Sequence, residues 1–284
     1  MITFFTIPKP FEGHIGLIQR NAILSWKNLS PSPEIIMFGN EKGMADFASE
    51  NGIRHEPDLK LNEFGTPLLD DAFAKAARLA KKGNRLCYIN ADIILLQDII
   101  DTVTAVSAMK LPKDFLIIGD RHDVDITEPI DFATEWQPWV KERVASGKLV
   151  KPAYDYFLYS ENLFRDIPPF AVGRLAFDIW FVYEAVKQKA SVIDAAGLIS
   201  CIHQNHNYAH VTGKDFSSRK DLKGRRSPEI RENRRLCGND LLRLCIPFHK
   251  IKGNTLQISV KETFINFLYS LRRNITWRLK KFLD

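Results

Sequence analysis

The sequence predicts an α/β fold, in which a mostly parallel central sheet is flanked by helices and followed by a basic, helical C-terminal extension. Short apolar segments alternate with helical patterns over the first 120 residues, an alternation typical of parallel sheets covered by helices. The 284 residues are 45% hydrophobic and 26% charged, as in ordinary globular proteins. Basic residues are concentrated late in the chain. We therefore divide it into a main α/β domain, 1–213, and a basic extension, 214–284.

The first half follows a regular order of strands and helices. Pro31 ends the first helix before its strand, Gly52 closes the second, and Thr66 and Pro67 are suited to the start of the third. The next element, 85–96, is predicted as a buried strand. Polar residues interrupt its apolar run. Strands are predicted at 2–7, 34–39, 53–56, 85–96 and 115–120, and helices at 19–29, 44–51, 68–82 and 97–109.

The alternation weakens beyond residue 121, where tryptophans, tyrosines and acidic residues become frequent. Ligands of open α/β sheets bind beyond the carboxyl ends of the strands. We therefore expect this second half to supply the substrate-facing wall. The segment 214–235 is polar and basic and lacks apolar periodicity, which predicts a loop.

Charge separates the extension from the rest of the chain. Residues 1–213 carry 22 Lys and Arg against 27 Asp and Glu, whereas residues 250–284 carry 8 against 2. Such a patch favours an anionic partner. Residues 260–284 place apolar and basic side chains on different faces of a helix, which predicts either binding to an anionic membrane surface or packing on the protein itself.

The sequence favours a cytoplasmic protein. Its four cysteines show no short paired spacing, and no uncharged apolar run reaches the roughly 18 residues of a membrane span. The N-terminus has no basic region before its apolar segment and turns at Pro8, unlike a signal peptide. Peripheral attachment to the inner face of the membrane is the alternative if the tail binds lipid.

Asn90-Ala91-Asp92 interrupts the apolar run of the predicted strand 85–96 and is the central chemical signal. Residues i and i+2 of a strand point to the same side, so the two oxygen-bearing side chains would project together. Hard oxygen ligands suit Mg²⁺ or Mn²⁺, which can bridge the phosphates of a nucleotide. A polar pair of this kind also occurs for purely structural reasons.

The order of ITFFTIPKPF, QRNAILSW, EIIMFGNEKG, GTPLLDDAF and YINADIIL resembles the nucleotide-diphospho-sugar transferase superfamily, the glycosyltransferases of GT-A fold. The resemblance covers roughly residues 1–210. In that family a DxD motif at the end of a central strand holds the metal and the donor diphosphate. The resemblance therefore implies that Asp92 is a metal ligand and that Asn90, in this NxD variant, contacts the nucleotide sugar as a weaker, neutral ligand.

The resemblance also assigns donor contacts in the first fifty residues. The end of the first strand is where such enzymes grip the base and ribose, and an acidic residue after the second strand often meets the same groups. Two basic side chains could reach the diphosphate, although both could equally be solvated. The residues implied are Thr6, Pro8, Lys9, Arg20 and Glu41.

On the acceptor side, Asp178 is similar to the family's carboxylate near a helix start. There it would act as general base, although an aspartate at that position is also favoured by the helix dipole alone. Gly173 and Arg174 belong to the same acceptor segment. Arg121 and Asp123 are expected to hydrogen-bond acceptor hydroxyls. Asp120–Asp125 could instead bind two metals for phosphoester hydrolysis, but the supporting His and Asp clusters are missing.

His203 and His206 follow an apolar, strand-like segment. Imidazoles three residues apart can share one face of a helical turn, and neutral histidine is the commonest metal ligand. Their position resembles that of the third metal ligand of GT-A transferases. Either histidine could fill that role.

The function expected from these residues is metal-assisted glycosyl transfer, as in the assembly of a surface polysaccharide. The donor would be a nucleoside-diphosphate sugar, and the acceptor a hydroxyl of a saccharide or lipid-linked molecule; no nucleic acid partner is expected. An inverting enzyme would need Asp178 as base, whereas a retaining one would not. The alternatives are a sugar nucleotidyltransferase, which Gly13 and Gly16 serve poorly as a phosphate loop, and a non-catalytic binding module on the same fold.

Overall fold

A computed structural model describes residues 1–109, 114–151, 153–206, 227–238, 248–252 and 255–258. The elements of the first half are β1 (Ile2–Thr6), α1 (Gly13–Lys27), β2 (Glu34–Phe38), α2 (Met44–Asn51), β3 (Arg54–Glu56), α3 (Leu69–Leu79), β4 (Arg85–Ile89), β5 (Ile93–Leu95) and α4 (Asp98–Ala108). Those of the second half are β6 (Phe115–Ile118), β7 (Arg121–Val124), α5 (Trp136–Ala145), β8 (Lys148–Val150), β9 (Tyr156–Tyr159), α6 (Phe177–Lys187), β10 (Ser191–Asp194), β11 (Cys201–Gln204), α7 (Pro228–Cys237), β12 (Phe248–Lys252) and β13 (Thr255–Ile258).

The main sheet has nine strands in the order β13-β12-β10-β6-β9-β4-β1-β2-β3. β9 runs antiparallel to both neighbours and β13 is antiparallel to β12, whereas the other pairs are parallel. The predicted α/β fold with a mostly parallel central sheet flanked by helices is confirmed. The antiparallel strand β9 pairs with β4. It comes from the part of the sequence, beyond residue 121, where the alternation of strand and helix patterns weakens.

Apolar cores cover both faces of this sheet. All five residues of β1 are buried, as expected for a central strand covered on both sides. Trp26 of α1 and Ile99 of α4 belong to one core, and Phe73 of α3 and Phe181 of α6 belong to the other. The strand ends are thereby held on a rigid scaffold from which loops can project.

A separate four-stranded sheet, β5-β11-β7-β8, was not predicted from the sequence. The run 85–96, predicted as one strand, is divided by the turn at 90–92, so that β4 joins the main sheet and β5 joins this smaller one. β11 pairs with β5 on one side and with β7 on the other. The turn at 90–92 is thus brought beside residues more than a hundred positions later.

The first helix begins at Gly13 rather than at residue 19. Gly16 explains the close approach of this helix to the preceding loop, because a Cβ at that position would lie 2.4 Å from the backbone carbon of Phe11. A larger residue there would push the helix away from the loop 8–11. That loop carries residues of the candidate site.

The prediction of a loop over 214–235 is wrong at its C-terminal end, where α7 begins at Pro228. Ser227 caps the helix by accepting a hydrogen bond from the Ile230 amide, and Pro228 occupies its first turn. Ile230 and Asn233 are buried, and Asn233 hydrogen-bonds the backbone of Ala171. Long-range packing therefore stabilises a helix whose own sequence is too polar to predict it.

The extension also supplies β12, which pairs in parallel with β10 at the edge of the main sheet. The boundary at residue 213 stays a prediction. The amphipathic helix predicted over 260–284 lies outside the described residues. Among the described helices, none combines the length and the apolar composition that a membrane crossing requires.

Candidate metal and substrate site

A cavity of about 440 Å³ opens at the carboxyl ends of β1 and β4, a size typical of small-molecule sites. Its wall combines the loop after β1, the turn after β4, the segment before α6 and the end of β11. Most of the residues predicted to bind donor, acceptor or metal lie in this wall. Those residues are Pro8, Lys9, Glu41, Asn90, Asp92, Arg121, Gly173, Arg174, His203 and His206.

The turn after β4 is fixed by buried side chains of α1 and β11. Trp26 donates a hydrogen bond from its indole nitrogen to the carbonyl of Ile93 at 2.8 Å. The side-chain amide and the backbone amide of Gln204 each lie 3.2 Å from the Asp92 carbonyl, to which both donate. Asp92 is therefore held in place through its backbone, which leaves its carboxylate to point into the cavity.

Asp92, His203 and His206 form a compact cluster. Asp92 Oδ2 lies 3.0 Å from His206 Nε2 and 3.7 Å from His203 Nε2. One ligand atom from each residue lies within 4.8 Å of the others. The histidine side chains are only 4% and 3% exposed, and that of Asp92 is 19% exposed. The structure thus brings both candidate histidines to Asp92.

The local structure behind this cluster differs from the prediction. His203 lies on β11 and His206 follows the strand end, so the two rings, with centroids 5.3 Å apart, do not share a helical turn. Asn90 and Asp92 likewise lie in a turn after β4 rather than within a strand. Pairing of β11 with β5 is what places the histidines beside the turn.

The donor set of the cluster fits a divalent cation. Asp92 Oδ1 is buried and has no hydrogen-bond partner among the residues that the structure describes. A buried carboxylate oxygen without a partner is costly unless a bound ion or water satisfies it. Carboxylate oxygen suits Mg²⁺ and Mn²⁺, and neutral imidazole is a common nitrogen ligand of transition metals. Asp92, His203 and His206 are therefore the residues able to hold a metal.

Electrostatics keep Asp92 ionised. Burial by itself would raise the pKa of this carboxyl, but the hydrogen bond from His206 and the electrostatic interactions with His203, His206 and Lys9 lower it well below its ordinary value. A carboxylate that stays charged at neutral pH is the form required of a metal ligand.

Behind His203, a chain of polar contacts supports the cluster. Asp123 Oδ1 lies 3.1 Å from His203 Nδ1 and 2.8 Å from Arg121 Nε. Arg121 also donates to Asp155 at 2.9 Å, and Asn90 donates its side-chain amide to Asp155 at 2.8 Å. A carboxylate at the second nitrogen of a histidine fixes the ring so that the first nitrogen can bind metal.

These polar contacts give Asn90, Arg121 and Asp123 structural partners that the sequence prediction did not include. The Asn90 amide and the Arg121 guanidinium both contact Asp155, and Asp123 contacts His203. The expected contacts of Arg121 and Asp123 with an acceptor remain predictions. Their described contacts orient the metal-binding cluster.

Lys9 is the cation nearest to this cluster in the loop after β1. Gln19 of α1 binds the backbone of Lys9. Its side-chain oxygen accepts from the Lys9 amide at 2.7 Å, and its side-chain nitrogen donates to the Lys9 carbonyl at 2.9 Å. Burial is the main cause of the lowered pKa of Lys9; the charge of Arg174 lowers it further, whereas Asp92 opposes the shift. Lys9 therefore lies within electrostatic reach of both Asp92 and Arg174.

The segment before α6 forms another part of the cavity wall. Arg174 donates from Nε to Glu229 Oε2 at 2.8 Å, and its terminal nitrogen Nη2 lies 2.6 Å from the same oxygen. Gly173 has φ +68°, a conformation that glycine adopts without strain. Both residues line the cavity, but Arg174 is held by a helix of the extension.

Four predicted site residues do not line the cavity: Thr6, Arg20, Asp123 and Asp178. Arg20 donates to the Phe11 carbonyl at 3.2 Å, and its guanidinium lies over the rings of Phe11 and Phe47. Arg20 does not line the cavity, and its predicted contact with a diphosphate stays a prediction. Thr6 is fully buried in β1, beneath the loop that lines the cavity, so it does not reach a ligand directly.

Asp178, the predicted general base, lies in the first turn of α6 and outside the cavity wall. Burial raises its pKa, backbone amides at the helix start oppose that rise, and repulsion from Asp155 adds to it. Asp155 does line the cavity. The catalytic role of Asp178 stays a prediction.

Sequence reasoning missed four polar residues that build the site: Gln19, Asp155, Gln204 and Glu229. Asp155 precedes β9, and it meets Asn90 only because β9 runs antiparallel to β4. Gln204 lies between the two histidines and could have been noticed there. Nothing in the sequence connects Glu229 with Arg174, 55 residues earlier.

No protein-family model matches the sequence, and no curated protein matches it. Among solved structures, the chain is similar to glucosyl-3-phosphoglycerate synthase from Mycobacterium tuberculosis, in a complex with Mn²⁺, uridine diphosphate and phosphoglyceric acid. The match covers 91% of this chain and 86% of that one, at 12% identity and a TM-score of 0.47.

Two further similarities involve a mycobacterial protein and a staphylococcal one. The mycobacterial protein matches over 74% of this chain and 69% of its own, at 12% identity and a TM-score of 0.47. S. aureus TarS 1–349 matches over 45% of this chain and 37% of its own, at 9% identity and a TM-score of 0.34. The chain thus spans about a third of TarS 1–349. These are likenesses in fold alone, and activity has to be inferred from the site.

Proposed function

We propose that this chain is a metal-dependent glycosyltransferase. It would move a sugar from a nucleoside-diphosphate sugar to a hydroxyl of a saccharide or lipid-linked acceptor. The observation that carries the proposal is the cluster of Asp92, His203 and His206, which faces a cavity shared with Lys9. A carboxylate with an unpartnered oxygen, two buried imidazoles and a nearby cation suit a metal–diphosphate complex.

The metal site is assigned to Asp92, His203 and His206, with Asp123 orienting His203. Mn²⁺ fits two imidazoles better than Mg²⁺, which prefers oxygen ligands throughout. When bound, the ion supplies Lewis-acid stabilisation of the charge that develops on the departing diphosphate. The protein's own contribution is to hold the three ligands on a strand and a turn that cannot move independently.

Lys9 and Arg174 are assigned to the diphosphate. Both line the cavity, and each is close enough for its charge to affect the other. Two neighbouring cations in a partly desolvated wall repel one another, so an anion between them is stabilised. Pro8 and Glu41, in the same wall, are assigned to the nucleoside.

Deprotonation of the acceptor, in an inverting reaction, is assigned to Asp178. Its raised pKa makes its carboxylate a stronger base than that of an ordinary aspartate. Asp155, the carboxylate in the cavity wall, is already engaged by Arg121 and Asn90. We therefore assign Asp155 to positioning rather than to proton transfer.

A thermal-shift panel tests this function. UDP, GDP, CDP and dTDP would each be added with Mn²⁺ or with EDTA, since a ligand that binds only the folded state raises its apparent stability. At least one nucleotide should raise the melting temperature with Mn²⁺ and not with EDTA. The matching nucleotide sugar should then be hydrolysed slowly with Mn²⁺. Stabilisation without turnover would favour a non-catalytic binding module, and no stabilisation by any nucleotide would refute the proposal.

A further inference from the structure

Helix α7 does more than cover the catalytic part of the chain. Its two inward polar residues both bind segments that form the cavity wall. Asn233 accepts a hydrogen bond from the Ala171 amide at 2.9 Å and donates one to the Ala171 carbonyl at 3.0 Å. Ala171 immediately precedes Val172, Gly173 and Arg174, which line the cavity. The helix thus fixes the backbone that leads into one wall.

Glu229, in the first turn of α7, ties this wall to a second one. Its carboxylate is 9% exposed, accepts from Arg174 through two nitrogens, and accepts from the Asn62 side-chain amide at 2.9 Å. Asn62 in turn accepts from the amides of Phe64 and Thr66, both at 2.9 Å. The loop organised by Asn62 supplies Gly65, Thr66 and Pro67 to the cavity.

The contacts of Arg174 with Glu229 involve Nε and one terminal nitrogen. A guanidinium has five donors in a rigid fork. Glu229 does not use the second terminal nitrogen, and Arg174 lines the cavity, so this nitrogen is available to a ligand. A partly buried arginine also pairs better with a ligand when its orientation is already fixed, because less side-chain entropy is lost on binding.

We propose that Glu229 is a positioning residue for the anionic part of the substrate, which it serves by holding Arg174 in the wall of the cavity that Asp92, His203 and His206 also line. The substrate site would then be completed by a helix from the region after residue 213. This inference rests on the proposed function. It extends that function by making a helix after residue 213 responsible for positioning one of the two cations assigned to the anion.

The test measures binding of Mn²⁺ and of inorganic pyrophosphate, which has the same two linked phosphate groups as a nucleoside diphosphate. Glu229→Gln keeps the size of the side chain and removes its charge. We expect it to leave Mn²⁺ affinity unchanged and to weaken Mn²⁺-dependent pyrophosphate binding by about tenfold, the usual scale of a charged hydrogen bond. Glu232→Gln is the matched control, since Glu232 lies on the same helix but pairs with exposed Arg235. It should change neither affinity.

A double mutant separates positioning from a general structural effect. If Glu229 acts through Arg174, then Glu229→Gln should cause no further loss of pyrophosphate affinity in an Arg174→Ala background. Equal losses in both backgrounds would overturn the inference, as would wild-type pyrophosphate affinity in Glu229→Gln. In either case the proposed function would survive. Wild-type protein that binds Mn²⁺ but no pyrophosphate would overturn both.

Discussion

The metal-binding cluster and the outer wall of the cavity are built in different ways. Asp92 and His203 are attached to neighbouring strands. Gln204 of β11 binds the Asp92 carbonyl, Trp26 of α1 binds the carbonyl of the next residue, and half-buried Asp123 of β7 contacts His203. Arg174 and the loop at 65–67 lie instead on irregular segments, which the first turn of α7 holds together through Glu229. One region derives its order from strand pairing, and the other from a few side-chain hydrogen bonds.

This difference teaches that the two functions of the site should be separable by mutation. Groups on packed strands are held more precisely than groups on loops, which suits the strict geometry of a metal. Loops held by hydrogen bonds can adjust to a larger ligand. Substitutions near Asp92 should therefore affect metal binding first, and substitutions around Arg174 should affect only the ligand.

The largest effect is expected from His206→Ala, which removes one of the three candidate metal ligands. Mn²⁺ affinity should fall by at least about 100-fold, beyond the range of changes in the surrounding shell. Isothermal titration calorimetry with MnCl₂ would measure it. His122→Ala is the control, because His122 lies on β7 but does not line the cavity. Equal Mn²⁺ affinity in both variants would show that His206 is not a ligand.

Asp123→Asn should weaken Mn²⁺ binding by about 10- to 100-fold, the usual cost of losing a carboxylate that orients a metal-bound histidine. The physical reason is the contact of Asp123 with His203 Nδ1. The same titration would report it. An unchanged affinity would mean that the ring of His203 is oriented by strand pairing alone.

Lys9→Met should leave Mn²⁺ binding intact and weaken nucleotide-diphosphate binding by about tenfold, as expected for one lost charged contact. Lys42→Met is a suitable control, since Lys42 is exposed and paired with Glu12. The thermal-shift panel with Mn²⁺ would compare the two variants. A loss of Mn²⁺ affinity in Lys9→Met would contradict the assignment of Lys9 to the diphosphate.

The smallest effect is expected from Arg20→Gln. Because its guanidinium lies over Phe11 and Phe47 rather than in the cavity, nucleotide affinity should change by less than about twofold. Stability should fall by roughly 1 kcal/mol or less, the scale of an exposed cation–π contact. Urea denaturation measures the second quantity. A tenfold loss of nucleotide affinity would restore Arg20 to the site.

The sequence predicts the first half of this fold well for a physical reason. Buried parallel strands are continuous apolar runs, as in ITFFT of β1, and proline and glycine mark the ends of the helices. The second half is predicted poorly, because β9 is inserted antiparallel and β5, β7, β8 and β11 form a sheet of their own. Their pairing depends on contacts far apart in sequence.

The candidate site shows the same division. Asp92, His203 and His206 were selected by their position after apolar strands together with the resemblance to GT-A transferases, and the structure places the three side chains together. Asp155 and Glu229 were missed, since their significance depends on partners 34 to 65 residues away. Arg20 was assigned to the diphosphate from its charge, and charge alone does not show which side of a loop a long side chain occupies.

The central claim is that Asp92 holds a divalent cation together with His203 and His206. Titration of the protein with Mn²⁺, followed by the loss of the free-ion electron paramagnetic resonance signal, tests it directly. Wild-type protein should bind one ion per chain at this site, and Asp92→Asn should not. Asp120→Asn, at a carboxylate paired with Lys151, should bind as the wild type does. Unchanged Mn²⁺ binding by Asp92→Asn would contradict the account.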